Sequence, residues 1–376
     1  MTTTSIDDAI AGARAGVGDR GPAQPGQRAV RNWLIFVSCL IFVMVVVGGA
    51  TRLTGSGLSI TEWKPITGAI PPLSHGAWMA EFDLYRATPQ YRLLNAGMSL
   101  GEFQFIYLWE WGHRQLGRFI GLAYMLPLLW FAVRGAVRGR LLVTLAVIGL
   151  LGGLQGAIGW IMVHSGLQPG MTAVAPVKLM LHLLAACILL ACVVAVIVRL
   201  SPRAEARSAA RVRWLAGLLV AGSFAQIGLG ALVAGLHAGL TYNTWPLMDG
   251  RFIPDAATLA PLDPWWMNML ATVPAVQFNH RMGAYILLAL AIFHAVDVRR
   301  LAAAGLASAR AAHRAMALAG VIAVQGVIGV ATLLLAVPIW AGLLHQACAL
   351  AVLVTAVIHA RRLGAARSGG AAATLR

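Results

Sequence analysis

The sequence predicts an all-α integral membrane protein, with eight transmembrane helices arranged as two parallel-repeat four-helix bundles. Three observations lead there: a composition too apolar to cover a soluble surface, eight apolar runs of spanning length, and landmarks that recur in order in the second half. Of 376 residues, 59% are hydrophobic and only 11% charged, and the mean hydropathy is +0.76. A soluble domain of this size carries more than twice that charge. The net charge of +16 comes almost wholly from arginines at the ends of apolar runs. That pattern reports topology, and no nucleic-acid function is read from it. Cys39, Cys187, Cys192 and Cys348 all fall within apolar runs, away from disulfide or metal spacing, and read as small core residues.

Runs able to cross a hydrocarbon core of about 30 Å fall at about 33–50, 105–133, 141–163, 175–199, 213–237, 273–298, 314–336 and 338–360. The first has no convincing cleavage site after it and reads as a retained helix rather than a signal peptide. The second opens with the mixed segment Trp109 to His113, and the last two are parted by little more than Pro338.

Arginine sets the orientation. Arg28 and Arg31 precede the first span, while Arg134, Arg138 and Arg140 join the second to the third. Arg199, Arg203, Arg207, Arg211 and Arg213 join the fourth to the fifth, Arg299, Arg300, Arg310 and Arg314 the sixth to the seventh, and Arg361 and Arg362 follow the eighth. With eight spans these all lie on one side, which the positive-inside rule makes cytoplasmic, with both termini there. The opposite loops, 51–104 and 238–272, hold seven of the thirteen acidic residues. The expected division is a disordered cytoplasmic tail over 1–30, an N-terminal bundle over 31–200 with its long outer loop 51–104, a C-terminal bundle over 201–362, and a cytoplasmic tail over 363–376. The cell (inner) membrane of a bacterium is the expected location.

The second half echoes the first. His113-Arg114 recurs as His280-Arg281, Gln155-Gly156-Ala157-Ile158-Gly159 as Gln325-Gly326-Val327-Ile328-Gly329, and His182 as His345. Four helices per repeat make the copies parallel, related by an axis along the membrane normal. His113, His182, His280 and His345 then lie one to two turns below the outer surface, two in each bundle, on helices that enter from outside. Two imidazoles at one level suit the two axial positions of haem iron, and bundle cores commonly house such groups. Zinc or copper would ask for a third or fourth ligand. A lone histidine in a span usually packs against a neighbour; four at equivalent places in a repeat point to ligation.

The halves differ. Glu110 shares a helix face with His113, whereas Gln277 stands before His280. A carboxylate beside a haem can move protons and a glutamine cannot, so chemistry is expected in the first bundle. An alternative is that Glu110 only favours the positive end of its helix. Arg114 and Arg281 are candidates for haem propionates or for interfacial anchoring. His294 and His359 follow His280 and His345 by four turns each, the arrangement of two-haem cytochromes b. Pro127 and Val196 occupy those places in the first half. His164 and His237 read as boundary residues.

Beyond the histidines, the segment Gly48-Gly49-Ala50-Thr51-Arg52-Leu53-Thr54-Gly55-Ser56-Gly57-Leu58-Ser59 stands out, as do Glu62-Trp63-Lys64-Pro65, Thr88-Pro89-Gln90-Tyr91, Glu102-Phe103 and Trp109-Glu110-Trp111-Gly112-His113-Arg114. With His182, His280-Arg281 and His345, these resemble haem A synthase in its proteobacterial and mitochondrial form, over about residues 30–362. The resemblance implies oxidation of the C8 methyl of haem O to the formyl group of haem A, a prosthetic group of cytochrome oxidase. It implies a haem b held by His280 and His345, substrate haem at His113 and His182, and a required glutamate at Glu110. A subgroup of that family has a cysteine pair in its first outer loop; no cysteine lies between Cys39 and Cys187 here. Expected partners are haem O, the lipid bilayer, the haem O synthase and an electron acceptor, with a homo-oligomer open. The competing readings are a cytochrome b-type membrane electron carrier and a haem exporter or chaperone.

Overall fold

The computed structural model describes residues 25–64, 66–201 and 208–364. Residues 1–24 and 365–376, most of the two expected tails, and the arginines Arg203 and Arg207 lie outside the described residues. Among the described residues no strand forms, apart from an isolated bridge between Met248 and Arg251. Ten helices carry the architecture: α1 (Pro25–Leu53), α2 (His75–Arg86), α3 (Pro89–Leu94), α4 (Leu100–Val133), α5 (Gly139–Gly166), α6 (Pro176–Arg199), α7 (Ala210–Gly235), α8 (Val273–Ala303), α9 (Ala309–Leu334) and α10 (Ile339–Gly364).

Several ends differ from the apolar runs because capping, not hydropathy, sets them. Residues 25–30, expected in the tail, open α1, and Val30 is buried beside Trp33 and Leu34. α4 begins at Leu100, where Ser99 and Glu102 form a capping box: the Ser99 N–H donates to Glu102 Oε2 at 2.8 Å and the Glu102 N–H to Ser99 Oγ at 3.3 Å. The turns after α4 and α8 each place a glycine, Gly135 and Gly305, at φ +68° and +72°, a left-handed stop that a side chain would strain.

Seven helices are long and apolar enough to cross a membrane: α1, α4, α5, α6, α7, α9 and α10. α8 is not among them, against the eight spans expected. Its uninterrupted apolar stretch runs only from Met282 to Phe293, between Arg281 and His294, well short of the roughly 20 residues a span takes. Large apolar side chains stand exposed along the other helices, among them Leu122, Leu126 and Trp130 on α4 and Leu150 and Leu154 on α5. Such a continuous apolar surface is stable only against lipid.

α1 packs on α4 and α6, and α5 joins α4 to α6; α7 packs on α8 and α10, and α9 joins α8 to α10. These two closed cycles of contacts meet where α6 touches α7 and α10, and where α10 crosses α1. A cluster of Val45, Cys187, Leu190, Leu350, Leu353 and Val357 fills that junction. At the crossing, Gln346 Nε2 donates to the Val45 carbonyl at 2.8 Å. Gly49 makes room for it: a Cβ there would fall 1.8 Å from Gln346 Oε1.

The chain between α1 and α4 folds as a small aromatic body. Phe82, Tyr85, Phe103 and Tyr107 are buried together, with Phe103 stacked on Phe82 at 4.8 Å and on Tyr85 at 5.4 Å. Thr88 caps α3, and Gln90 ties it back to the end of α1 by donating to the Gly55 carbonyl at 3.2 Å. Burial raises the Tyr85 phenol, whose oxygen accepts from Asn95 at 2.7 Å and donates to Gln90 at 3.0 Å. Lys64 sits between Glu62 (2.7 Å) and Glu81 (2.9 Å), and bonding to both carboxylates raises its ammonium pKa. Phe103→Ala removes the ring at the centre of this body and is expected to cost about 3–5 kcal/mol. Limited proteolysis should then cut within 60–98 at protease levels that leave the parent intact; equal resistance would show that the loop is held by its ends alone.

Candidate functional site

The four repeat histidines occupy one arrangement. Each stands against a glycine of the helix before it in its cycle. A Cβ at Gly48 would meet His113 at 3.2 Å, one at Gly159 would meet His182 at 2.8 Å, one at Gly230 His280 at 3.1 Å, and one at Gly329 His345 at 2.8 Å. All four rings are half-buried. The imidazole itself thus fills the gap at Gly159 and Gly329, while a Cβ at Gly156 or Gly326 would find open space.

Glutamine holds three of the four rings from one turn before the glycine. Gln155 Nε2 lies 3.2 Å from His182 Nδ1, Gln226 Nε2 3.0 Å from His280 Nδ1, and Gln325 Nε2 3.1 Å from His345 Nδ1. Each amide also donates to its histidine's own carbonyl, at 2.9 or 3.0 Å. Sequence reading found Gln155 and Gln325 only as repeat markers and missed Gln226. The signal was the recurring Gln-x-x-x-Gly on successive odd spans.

The His280 and His345 rings lie 6.3 Å apart, centre to centre, at 78°. A metal–imidazole bond is about 2 Å, and the ring centre lies about 1 Å further, so two imidazoles sharing one metal stand roughly 6 Å apart. His113 and His182 are near enough to interact electrostatically. Among the described residues no three His, Cys, Asp or Glu side chains gather. Couples of imidazoles therefore suit a metal that brings its other donors with it, as haem does.

The lower pair behaves otherwise. His294 and His359 are both fully buried, with Nε2 atoms 2.8 Å apart. Two axial nitrogens on one iron need about 4 Å between them; this pair instead bonds to itself.

The structure gives Glu110 and Arg114 a shared task. Glu110 is buried; its Oε2 accepts from Ser59 Oγ at 2.8 Å and from the Ile60 N–H at 2.9 Å, and its Oε1 pairs with Arg114 at 2.6 Å. Arg114 also donates to the Ile60 and Glu62 carbonyls, at 3.1 and 3.4 Å. In the second half Gln277 donates to the Ala238 and Tyr242 carbonyls, at 3.0 and 3.3 Å, and Arg281 to those of Tyr242 and Leu247, at 2.8 and 3.3 Å. Both couples fasten a loop to the helix that carries a repeat histidine. Of the boundary histidines, His164 meets Gln168 at 3.1 Å, and His237 meets Arg52, whose Nη2 lies 2.8 Å from its Nε2. Burial and the Arg52 charge lower the pKa of His237.

A groove of about 420 Å³ opens beside the first site, lined by Val47, Phe105, Leu108, Trp109, Gly112, His113 and Leu116. His113 is its one titratable side chain, and the rest is a wall suited to an apolar occupant.

The family model described as cytochrome oxidase assembly protein matches residues 31–357. A "Heme A synthase" of Methylobacterium sp. (strain 4-46) is 58% identical, over 91% of this chain and 94% of that protein. One of Methylorubrum extorquens (strain PA1) is 55% identical, over 90% and 87%, and one of Bradyrhizobium sp. (strain ORS 278) 56%, over 90% and 92%. By this full-length match the chain belongs to the cytochrome oxidase assembly protein family.

Proposed function

We propose that this chain is a haem A synthase of the bacterial inner membrane, oxidising the C8 methyl of haem O to the formyl group of haem A for cytochrome oxidase. Full-length identity to relatives named Heme A synthase carries the reaction; the four histidine sites support its placement. In this reading α8 is the eighth span. Its 31 residues reach about 46 Å, it packs between α7 and α9, and its Gln277, Arg281 and His294 are buried. The two cycles of helices are then parallel repeats with both termini cytoplasmic, which the arginines at the start of α1 and the end of α10 support.

His280 and His345 would hold haem b, and their 6.3 Å separation supports that role. His113 and His182 would take haem O, the first of them facing the apolar groove, where a farnesyl tail can lie. α4 and α5, which flank this site, bury only 11% of their apolar windows, against 33% for α6, α7 and α10, so this side opens most freely to lipid. Arg114 and Arg281, on loop carbonyls, act in this reading by keeping the outer loops closed over the haem edges.

Conversion of a methyl to a formyl group with water as the added oxygen releases four electrons and four protons. It proceeds by two hydroxylations at one carbon and loss of water from the geminal diol. Haem b, when bound, supplies a one-electron relay toward an acceptor. Glu110 lies on the His113 face of α4 and holds the buried Ser59–Ile60 backbone of the loop; in this reading its carboxylate is the group able to take up protons there. Gln277 at the matching place cannot. The haem O synthase, working in the same bilayer, is the expected source of substrate.

Three outcomes test this. Purified protein given haem O and an electron acceptor should yield haem A on chromatography of extracted haems. Glu110→Gln should lower turnover at least a hundredfold while haem b stays at parental occupancy, since glutamine is tolerated at the same place in the second half; retained turnover would remove the acid–base role. His280→Ala or His345→Ala should empty the protein of haem b, and His113→Ala should not. Loss of haem b in His113→Ala alone would overturn the division of roles. An electron carrier would instead leave the ring unaltered, and His294→Ala or His359→Ala would then lose a haem; the direct His294–His359 contact speaks against that reading.

A further inference from the structure

Lys178 stands on the first turn of α6, behind Pro176 and Val177, and its charge has no answer there. The start of a helix carries partial positive charge and disfavours a cation, and no acidic residue occupies that turn. Among the described residues no hydrogen bond or ion pair reaches the half-buried Lys178 side chain. Arg52, Arg114 and Arg281 are all answered: the first by His237 and the Ala234 carbonyl, the second by Glu110 and loop carbonyls, the third by loop carbonyls alone. A lysine placed like Lys178 calls for an anion that the chain does not supply.

Its place points to the first histidine couple. Lys178 precedes His182 by four residues, about 6 Å along the axis and on the same helix face. That face turns from α7: a Cβ at Gly235 would meet Pro176 at 2.8 Å, and one at Gly228 would meet Leu184 at 3.4 Å and Met180 at 3.7 Å. Positions 178 and 182 lie about half a turn round from those, and His182 meets Gly159 of α5 instead. The chain entering α6 also touches the loop that Glu110 holds. A Cβ at Gly166 would fall 2.7 Å from Leu58 and 3.0 Å from the Val174 nitrogen, and Leu58 adjoins Ser59 and Ile60. The second half lacks this cation. Four residues before His345 stands Ala341, buried, its carbonyl accepting from Thr332 Oγ1 at 3.3 Å.

We propose that Lys178 is the carboxylate subsite of the His113–His182 site, its ammonium pairing with a propionate of the substrate haem. The proposal rests on the haem A synthase reading above. Haem carries both propionates on one edge, and charged groups are driven out of hydrocarbon. That edge therefore turns to the outer surface, the side on which Lys178 lies one turn beyond His182. The C8 methyl shares a pyrrole ring with one of the propionates. Two imidazoles fix the iron but leave the ring free to turn about the line between them. A cation on that propionate sets the turn by a charge-assisted bond, and with it the place of the reacting methyl. The second site, whose haem only relays electrons, has no methyl to present and carries alanine there.

Neutralising either partner tests it. The full-length protein carrying haem b, in detergent, is titrated with iron protoporphyrin IX and separately with its dimethyl ester, whose propionates bear no charge. Binding at the first site is read as the absorbance change lost in His113→Ala. The parent should bind the acid about tenfold or more tighter than the ester. Lys178→Met should weaken the acid by about the same factor and leave the ester within about twofold. Lys178→Arg keeps the charge and should hold the acid within about threefold of the parent. Haem b should stay at parental occupancy in both variants, which reports an intact fold. Equal affinity of the parent for acid and ester overturns the proposal. So does an acid affinity that Lys178→Met leaves unchanged, the result expected of a lysine that only meets lipid phosphates. Equal weakening of acid and ester would make Lys178 a structural residue and overturn it too, as would a loss in Lys178→Arg as large as in Lys178→Met. If no absorbance change depends on His113, the two-site reading itself fails and the proposal falls with it.

Discussion

An imidazole can stand inside an apolar helix pack only if the neighbouring backbone withdraws to admit the ring and a polar group answers its nitrogens. Gly48, Gly159, Gly230 and Gly329 make the room, and Gln155, Gln226 and Gln325 answer three of the rings. The remaining features follow from this constraint. Histidine sits on α4, α6, α8 and α10 and its glycine on α1, α5, α7 and α9, so each ring is fixed by two elements rather than one. For His113 the helix start is fixed by the Ser99–Glu102 capping box.

Above that level the two halves use one scheme with different chemistry. A residue three before the histidine and an arginine one after it fasten the outer loop, but the first half does so with a carboxylate accepting from Ser59 and Ile60, and the second with an amide donating to carbonyls. Toward the residue three before the histidine, one loop presents donors and the other acceptors. A buried charge beside its arginine costs more to install than a neutral amide, and its presence on one side alone marks where charge has work to do.

Much of this was legible in the sequence because it is periodic or repeated. Apolar runs gave the long helices, and recurrence singled out His113, His182, His280 and His345 and the Glu110/Gln277 contrast. What escaped depends on spatial neighbours. Gln226 carries no glycine immediately after it, unlike Gln155 and Gln325, so the repeat hid it. The start of α4 lay in capping chemistry, ahead of the apolar run. His294 and His359 have the spacing of paired haem ligands, yet the bundle narrows enough there for the rings to touch. Spacing along a helix fixes height, and only packing fixes the gap across it.

In the proposed reading the groove beside His113, between exposed Phe105, Leu108 and Trp109, opens toward lipid. A reactant that arrives this way is dissolved in a two-dimensional film, and its activity is a mole fraction among lipids. Doubling the amount of bilayer at constant total reactant would halve the encounter rate, although nothing in the aqueous phase had changed. Saturation for this protein is therefore set by the composition of the membrane patch around it, and crowding of that patch by other apolar pigments would act as competition.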